Sequence, residues 1–304
     1  MSDYLQLKMV DEQSTEQTTK TQEELQDQLA KVDAKLAEEY GGYAGYTTDA
    51  SPYLVEIVGE EPETEVKRML TQMVKPESKI LDVGCGPGRS LCQFAPQVAE
   101  AWGYDEDEAL LASAHLRVKV NGLENVTLIH GQIANESEVD QLPDSYFDIA
   151  FCESGPGINA LVAQKLTDDA IFIQEIGGNY SSSQFQEIMG RVPLSFLAYG
   201  AGNNDQVLIS EMAELDFVPF SVKNYFYNWY FHDADHLERY VINVPWELGD
   251  WRMGGPLHYD HERDRAALEL YARYHMTDKG IRMQQHIRVF GWRREQFHAY
   301  PVGV

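Results

Sequence analysis

The chain has 304 residues, 43% of them apolar and 11% aromatic, enough for one large domain or two small ones around a core of ordinary size. Its 49 acidic residues outweigh 24 basic ones for a net charge of −25, which argues against nucleic acid and anionic lipid as partners, because holding phosphates takes basic surface. No apolar run is long enough to span a bilayer, and the start, MSDYLQLKMVDEQSTEQ, lacks the basic-then-apolar pattern of a secretory signal.

The three cysteines, Cys85, Cys92 and Cys152, contain no C-x-x-C pair, so neither a disulfide framework nor a structural zinc site is expected and a reducing cytoplasm is the predicted setting. Residues 1–65 carry sixteen acids against four lysines. The polar composition of 1–20 predicts disorder. From Thr21 to Tyr40, Leu25, Leu29, Val32 and Leu36 recur at helical spacing, giving an amphipathic helix that packs on the main domain or on a second copy of the chain. Gly41-Gly42 ends it. The stretch YGGYAGYTTDASPY follows, read as either a plain linker or a lid carrying aromatic contacts, with Tyr46 a candidate. This acidic arm is expected to cover 1–58, and the main domain 59–304.

Glu63 to Val74 reads as a helix with Val66, Met69, Leu70 and Met73 on one face. From Lys79 strands and helices alternate. Strands are expected at 79–84, 99–104, 126–130, 147–152 and 170–176, with helices at 88–96 and 107–120. Such alternation argues for an α/β fold with a parallel sheet covered on both faces. The last third should hold a helix at 204–216, a strand at 217–227, a helix starting at the Asp235-His236-Leu237-Glu238 capping box, a helix at 264–276 and a final strand at 281–292. Arg282, Arg288, Arg293 and Arg294, clustered near the C-terminus, read as a solvated face.

The chemistry gathers at ILDVGCGPGRS, residues 80–90. Gly84, Gly86 and Gly88 sit at every second position, whereas the dinucleotide fingerprint puts its third glycine one place later. A P-loop would need a Gly-Lys-Ser/Thr ending, absent here. Two acids separate the remaining ligands. Asp105, at the end of the next strand, can accept the hydroxyl protons of a ribose. Asp82, just before the glycines, would repel a pyrophosphate and favour an amino-acid ammonium.

On these residues the chain resembles the class I S-adenosylmethionine-dependent methyltransferases. ILDVGCGPG resembles their glycine motif, GYDED at 103–107 their ribose-binding strand end, and LPDSYFDIAFCESG at 142–155 their fourth strand and its approach. HGQIANE at 130–136 stands where they carry Gly-Asp-Ala, with Gln132 replacing the usual acid. YFHDADHLERYVINVPW at 230–246 resembles, weakly, a helical insertion of small-molecule members. The resemblance implies a Rossmann-like seven-stranded sheet, mostly parallel with an antiparallel last strand, an N-terminal helical arm and an aromatic-rich cap insertion at about 217–280. It implies S-adenosyl-L-methionine as cofactor, held by Asp82, Gly84, Cys85, Gly86, Gly88, Asp105, Glu106, Gln132, Ile133, Glu153 and Tyr46. Ile133 is otherwise a core residue, and Glu153 otherwise a helix-cap acid.

Methyl transfer is an in-line displacement at an already activated carbon, so the family has no universal catalytic residue, and none is assigned. Eleven of the 34 aromatic residues fall in 217–251, dense enough for a cap over an apolar acceptor and also for ordinary packing. Tyr230, His232 and Trp246 are the candidate substrate contacts. His232 and His236 stand four apart, and His258, Asp260, His261 and Asp264 form a second cluster, but neither group matches a known metal-ligand spacing, and no metal is expected. The expected reaction is methyl transfer to oxygen or nitrogen of a small molecule. A protein or tRNA methyltransferase, or a binding module without chemistry, are the alternatives. Self-association through the N-terminal helix is a further expectation.

Overall fold

The structure, a computed structural model, describes residues 21–39, 56–192, 204–250 and 255–295. One nine-stranded sheet dominates it. Its parallel part is built from β2 (Lys79–Val83), β3 (Glu100–Asp105), β4 (Val126–His130), β5 (Phe147–Glu153) and β6 (Leu166–Gly177), in the order β4-β3-β2-β5-β6. Beyond β6 comes β11 (Gly280–Arg294), antiparallel both to β6 and to its outer neighbour β7 (Phe217–Phe231). The last strand is thus inserted against the run of the others, as expected. The short strand β1 (Glu56–Val58) closes the edge, with Ile57 opposite Trp229. Three residues without alternation carry no strand signal in the sequence. Among the described residues no helix is long and apolar enough to cross a membrane.

The strand sequences explain the layers. In β2 and β5 most residues are buried and none is exposed, so both faces are covered. Ile80, Ile149, Phe151, Ile173 and Val289 pack under α2 (Pro62–Met73) and α3 (Arg89–Phe94), through Val66, Met69, Leu70, Leu91 and Phe94. On the opposite face Leu81, Val83, Ala150, Cys152, Phe172, Phe290 and Trp292 form a second cluster with Val139, Leu142, Val162 and Met212. Burying each large side chain contributes about 1.5–3 kcal/mol, so these two clusters hold the sheet.

The strand β7 runs four residues further than the periodicity suggests. Tyr225, Tyr227, Trp229 and Phe231 are all buried at alternate positions, and β11 pairs with the strand along its length. Beyond Gly177, which lies opposite Ile287, β11 runs on to Ile281 paired with β7, and β1 lies along the outer side of β7 there. This ribbon projects about 20 Å past the parallel strands, at ~3.4 Å per residue. The first 15 residues of the segment expected to be a cap are therefore sheet. The part off this sheet comprises α9 (Ala234–Asn243), a 3₁₀ turn at Pro245–Leu248, the paired two-residue strands β8 (Gly249–Asp250) and β9 (Gly255–Pro256), and α10 (His261–His275), after which the short β10 (Met276–Thr277) pairs with the start of β11. It folds back on the ribbon through Leu237, Tyr240, Val241, Leu268 and Tyr271. Helix α9 begins earlier than the capping box suggests. Asp233 caps it by accepting the His236 N–H at 2.7 Å, and Asp235 instead pairs with Arg265 at 2.7 Å. Likewise α10 starts at His261, where Asp260 accepts the Arg263 N–H at 2.8 Å.

The N-terminal helix α1 (Gln22–Glu39) buries Leu25, Leu29 and Leu36. Leu36 meets Leu110 of α4 (Glu108–Val120). Its apolar face is spent on its own chain, which removes that face from the expected self-association.

Candidate functional site

The glycine turn leaves β2 at its carboxyl end. Gly84, Gly86 and Gly88 have φ of 79°, 51° and 72°, the left-handed region that residues with a Cβ avoid. Space adds to the constraint at two of them. A Cβ on Gly84 would stand 2.9 Å from Pro156 Cδ, and one on Gly88 3.0 Å from Ala114 Cβ. The N–H groups of Gly84 and Cys85 both donate to the Tyr104 carbonyl, at 2.8 and 3.2 Å, and so tie the turn to β3. Cys85 is buried, and burial pushes its thiol well up, so it is no nucleophile at neutral pH.

Asp105 ends β3 beside the turn. Its Oδ2 accepts the Gly86 N–H at 2.7 Å and its Oδ1 the Asp107 N–H at 2.9 Å. Each oxygen keeps a further lone pair. Burial, then repulsion from Asp107 and Glu106, raises its carboxyl above the usual range against the pull of those two N–H groups. Asp82 is 3% exposed; burial first, then Glu153 and Asp105, push it well above the ordinary carboxylate range. Glu106 is exposed, and its carbonyl meets His130 Nε2 at 2.9 Å.

Glu153 closes β5. Ser90 Oγ, in the first turn of α3, donates to its Oε2 at 2.5 Å, while its Oε1 is buried without a hydrogen-bond partner among the described residues. The cap of the following helix α6 (Ala160–Ala163) is Asn159, whose Oδ1 accepts the Leu161 and Val162 N–H at 3.1 and 3.0 Å. The helix-cap reading of Glu153 therefore falls. Burial raises its carboxyl.

Past β4, Gln132 is exposed, with its N–H on Glu138 Oε2 at 2.6 Å. Ile133 is half-buried against the Leu81 and Val83 cluster, and its carbonyl accepts Asn159 Nδ2 at 2.6 Å. It is partly a core residue, as its alternative reading held.

Tyr230 lies on the opposite face of β7 from Tyr225, Tyr227 and Trp229, because strand side chains alternate. The register puts Glu153, Glu175, Tyr225 and Tyr227 on the α2 face instead. His232 is exposed; its N–H donates to His236 Nδ1 at 3.1 Å and its ring stacks on His236 at 5.0 Å. Trp246 lies in the 3₁₀ turn, with its ring outside the described residues, and Tyr46 lies outside them altogether. Asp264 is taken by Arg263 and Arg191, and His261 by Glu238 at 2.6 Å.

The residue that the sequence reading missed is Glu175. It stands directly across from Glu153, is 8% exposed and accepts the Ser154 Oγ proton at 2.8 Å. Burial, with Glu153, Glu63 and Glu61 adding to it, pushes its carboxyl up to about 7, against the Ser154 hydrogen bond. One signal could have found it: it is the only charge in the apolar run AIFIQEI, at the carboxyl end of a strand where open α/β sheets bind ligands.

A family model described as a methyltransferase domain matches residues 80–167. The uncharacterized methyltransferase YcgJ of Bacillus subtilis (strain 168) is 30% identical over 107 residues, 35% of this chain and 41% of that protein. The ribosomal protein L11 methyltransferase of Caldanaerobacter subterraneus subsp. tengcongensis is 33% identical over 101 residues, 32% of this chain. The chain thus spans 41% and 33% of the lengths of these two relatives. A functionally unknown protein from Deinococcus radiodurans R1 has a similar fold, with a TM-score of 0.56 at 16% identity over 86% of this chain and 98% of that one.

Proposed function

We propose that this chain, which belongs through residues 80–167 to the class I S-adenosylmethionine-dependent methyltransferases, moves a methyl group onto an oxygen or nitrogen of a small-molecule acceptor by in-line displacement. One observation carries the reading. Three carboxyl groups, Asp82, Asp105 and Glu153, meet at one glycine turn, close enough for Asp105 and Glu153 both to raise Asp82. Such a set would repel a pyrophosphate and attract an adenosyl amino acid, whose ammonium and sulfonium are positive and whose ribose offers hydroxyl protons.

The residues fit that cofactor one by one. Asp105 has lone pairs left for the ribose hydroxyls. Gly84, Cys85, Gly86 and Gly88 would let the amino-acid part lie against backbone, with Asp82 beneath its ammonium. Glu106, Gln132 and Ile133 would border the adenine. Glu153, with one buried oxygen unpartnered, would face the sulfonium side. Tyr46 is proposed as a contact from the arm. When bound, the cofactor supplies a methyl carbon on positively charged sulfur, a leaving group that is already activated.

What remains for the chain is to align the acceptor and take its proton. Glu175 is suited to the second task. It lies at the carboxyl end of β6 beside Glu153, with a carboxyl poised near neutrality. Tyr225 and Tyr227 share its face and would border the acceptor. A net charge of −25 favours a small molecule over RNA or DNA.

Calorimetric titration of one purified sample with S-adenosylmethionine, S-adenosylhomocysteine and NAD tests the cofactor. Binding of the two sulfur nucleotides and not of NAD is expected, followed by turnover with an amine or alcohol from an acceptor panel. Binding of NAD alone would overturn the reading in favour of a dehydrogenase.

A further inference from the structure

The peptide between Pro87 and Gly88, inside the glycine turn, is pinned on both sides. Its N–H donates to the Cys85 carbonyl at 2.9 Å, and its carbonyl accepts Arg117 Nε at 2.9 Å. Arg117 lies on α4, one turn beyond Ala114, which packs against Gly88. Its guanidinium reaches outward as well. Nη2 donates to Asp33 Oδ2 at 2.6 Å, and Asp33 Oδ1 accepts the Ser113 Oγ proton at 2.8 Å. Both partners are well covered, with side-chain exposures of 16% for Arg117 and 13% for Asp33. Asp33 belongs to α1, more than fifty residues before the turn.

A guanidinium is planar, and its N–H groups point in fixed directions. Where Asp33 holds Nη2, the direction of Nε–H is set too. An ordinary tie between helix and domain would need only the Leu36–Leu110 contact and one ion pair. Here the ion pair is threaded through the residue that holds the turn.

We propose that α1 is a strap, and that Asp33 is a positioning residue: it orients Arg117, which holds the 87–88 peptide in the shape that binds the nucleotide. Docking of α1 and occupancy of the turn are then coupled, and the coupling is reciprocal. The inference rests on the reading that this turn holds an S-adenosyl nucleotide.

The test uses the full chain, with S-adenosylhomocysteine as the probe. Wild type, Asp33→Asn, Arg117→Lys and a control, Asp27→Asn, are titrated by calorimetry, and amide exchange of α1 is followed with and without the probe. Asp27 pairs with Lys31 on the exposed side of the same helix. Asp33→Asn should raise the Kd about fivefold or more, the lower range of allosteric couplings. Arg117→Lys keeps a charge for Asp33 but lacks the second donor edge, so it should raise the Kd while α1, in the absence of the probe, exchanges as in wild type. The probe should slow α1 exchange in wild type and fail to do so in Asp33→Asn. Asp27→Asn should behave as wild type throughout. Unchanged affinity in both Asp33→Asn and Arg117→Lys, or α1 exchange indifferent to the probe in wild type, overturns the strap while leaving the cofactor reading intact. A wild type that binds no probe overturns the cofactor reading itself, and the strap with it.

Discussion

Asp105 Oδ2 accepts the N–H of Gly86 at 2.7 Å, so the carboxylate proposed to hold the ribose also holds the turn that cradles the rest of the ligand. Replacing it removes two things together. Asp105→Ala should weaken S-adenosylhomocysteine binding by about 1–3 kcal/mol, the range for a lost charge-assisted acceptor. Asp105→Asn, whose amide oxygen can still accept from Gly86, should lose less. Calorimetry with both variants checks the order, and equal affinity of Asp105→Ala and wild type would take Asp105 out of the site.

Gly84 has a φ of 79° and no room for a Cβ beside Pro156. Gly84→Ala should cost about 1–3 kcal/mol through backbone strain, before the contact with Pro156 is counted. Chemical denaturation measures it. A variant as stable as wild type would mean that the turn relaxes freely, contrary to its two bonds to the Tyr104 carbonyl.

Glu175 makes a pH prediction for activity. A proton acceptor must be ionised, so turnover should rise with pH through about 7, where burial has pushed this carboxyl. Glu175→Gln should lower kcat, flatten that limb of the profile and leave the Kd for S-adenosylhomocysteine near its wild-type value. A profile unchanged in shape would assign the limb to another group.

The same shift makes a prediction for stability, of opposite sense. A carboxyl raised on folding binds its proton more tightly in the native state, so its contribution is fully present below the unfolded value and is lost as pH climbs to about 7. The span from 4.5 to about 7 amounts to about 3 kcal/mol as an upper figure. Glu175→Gln should therefore melt above wild type at pH 8, with the gap closing below pH 5. A gap independent of pH would show that Glu175 is not held in this environment.

Much of the fold can be read from local pattern. The alternation from Lys79 onward and the largely apolar run of β5 mark elements whose signal lies in a few neighbouring residues. The glycine turn and Asp105 are legible for the same reason. Ligand-binding backbone needs glycine at left-handed positions, and that leaves a trace in composition. Glu175 was passed over because one acid in an apolar strand acquires meaning only when the register sets it against Glu153. Aromatic density does not say that Tyr227 shares a face with Glu175 while Tyr230 lies on the other, because that takes the register. The start of α9 was misread because Asp233 and Asp235 offer equivalent capping chemistry, and only the tertiary pull of Arg265 on Asp235 separates them.

The class of fold and the kind of ligand are legible in the chain alone, since both depend on short-range chemistry: periodicity, glycine spacing, and acids beside a turn. Tertiary structure alone decided which carboxylates meet, which rings share a face with them, and that α1 lies on α4 with Asp33 against Arg117. These are contacts between residues tens of positions apart. They follow from sheet register and helix docking, where one residue of slip would turn every side chain to the other face.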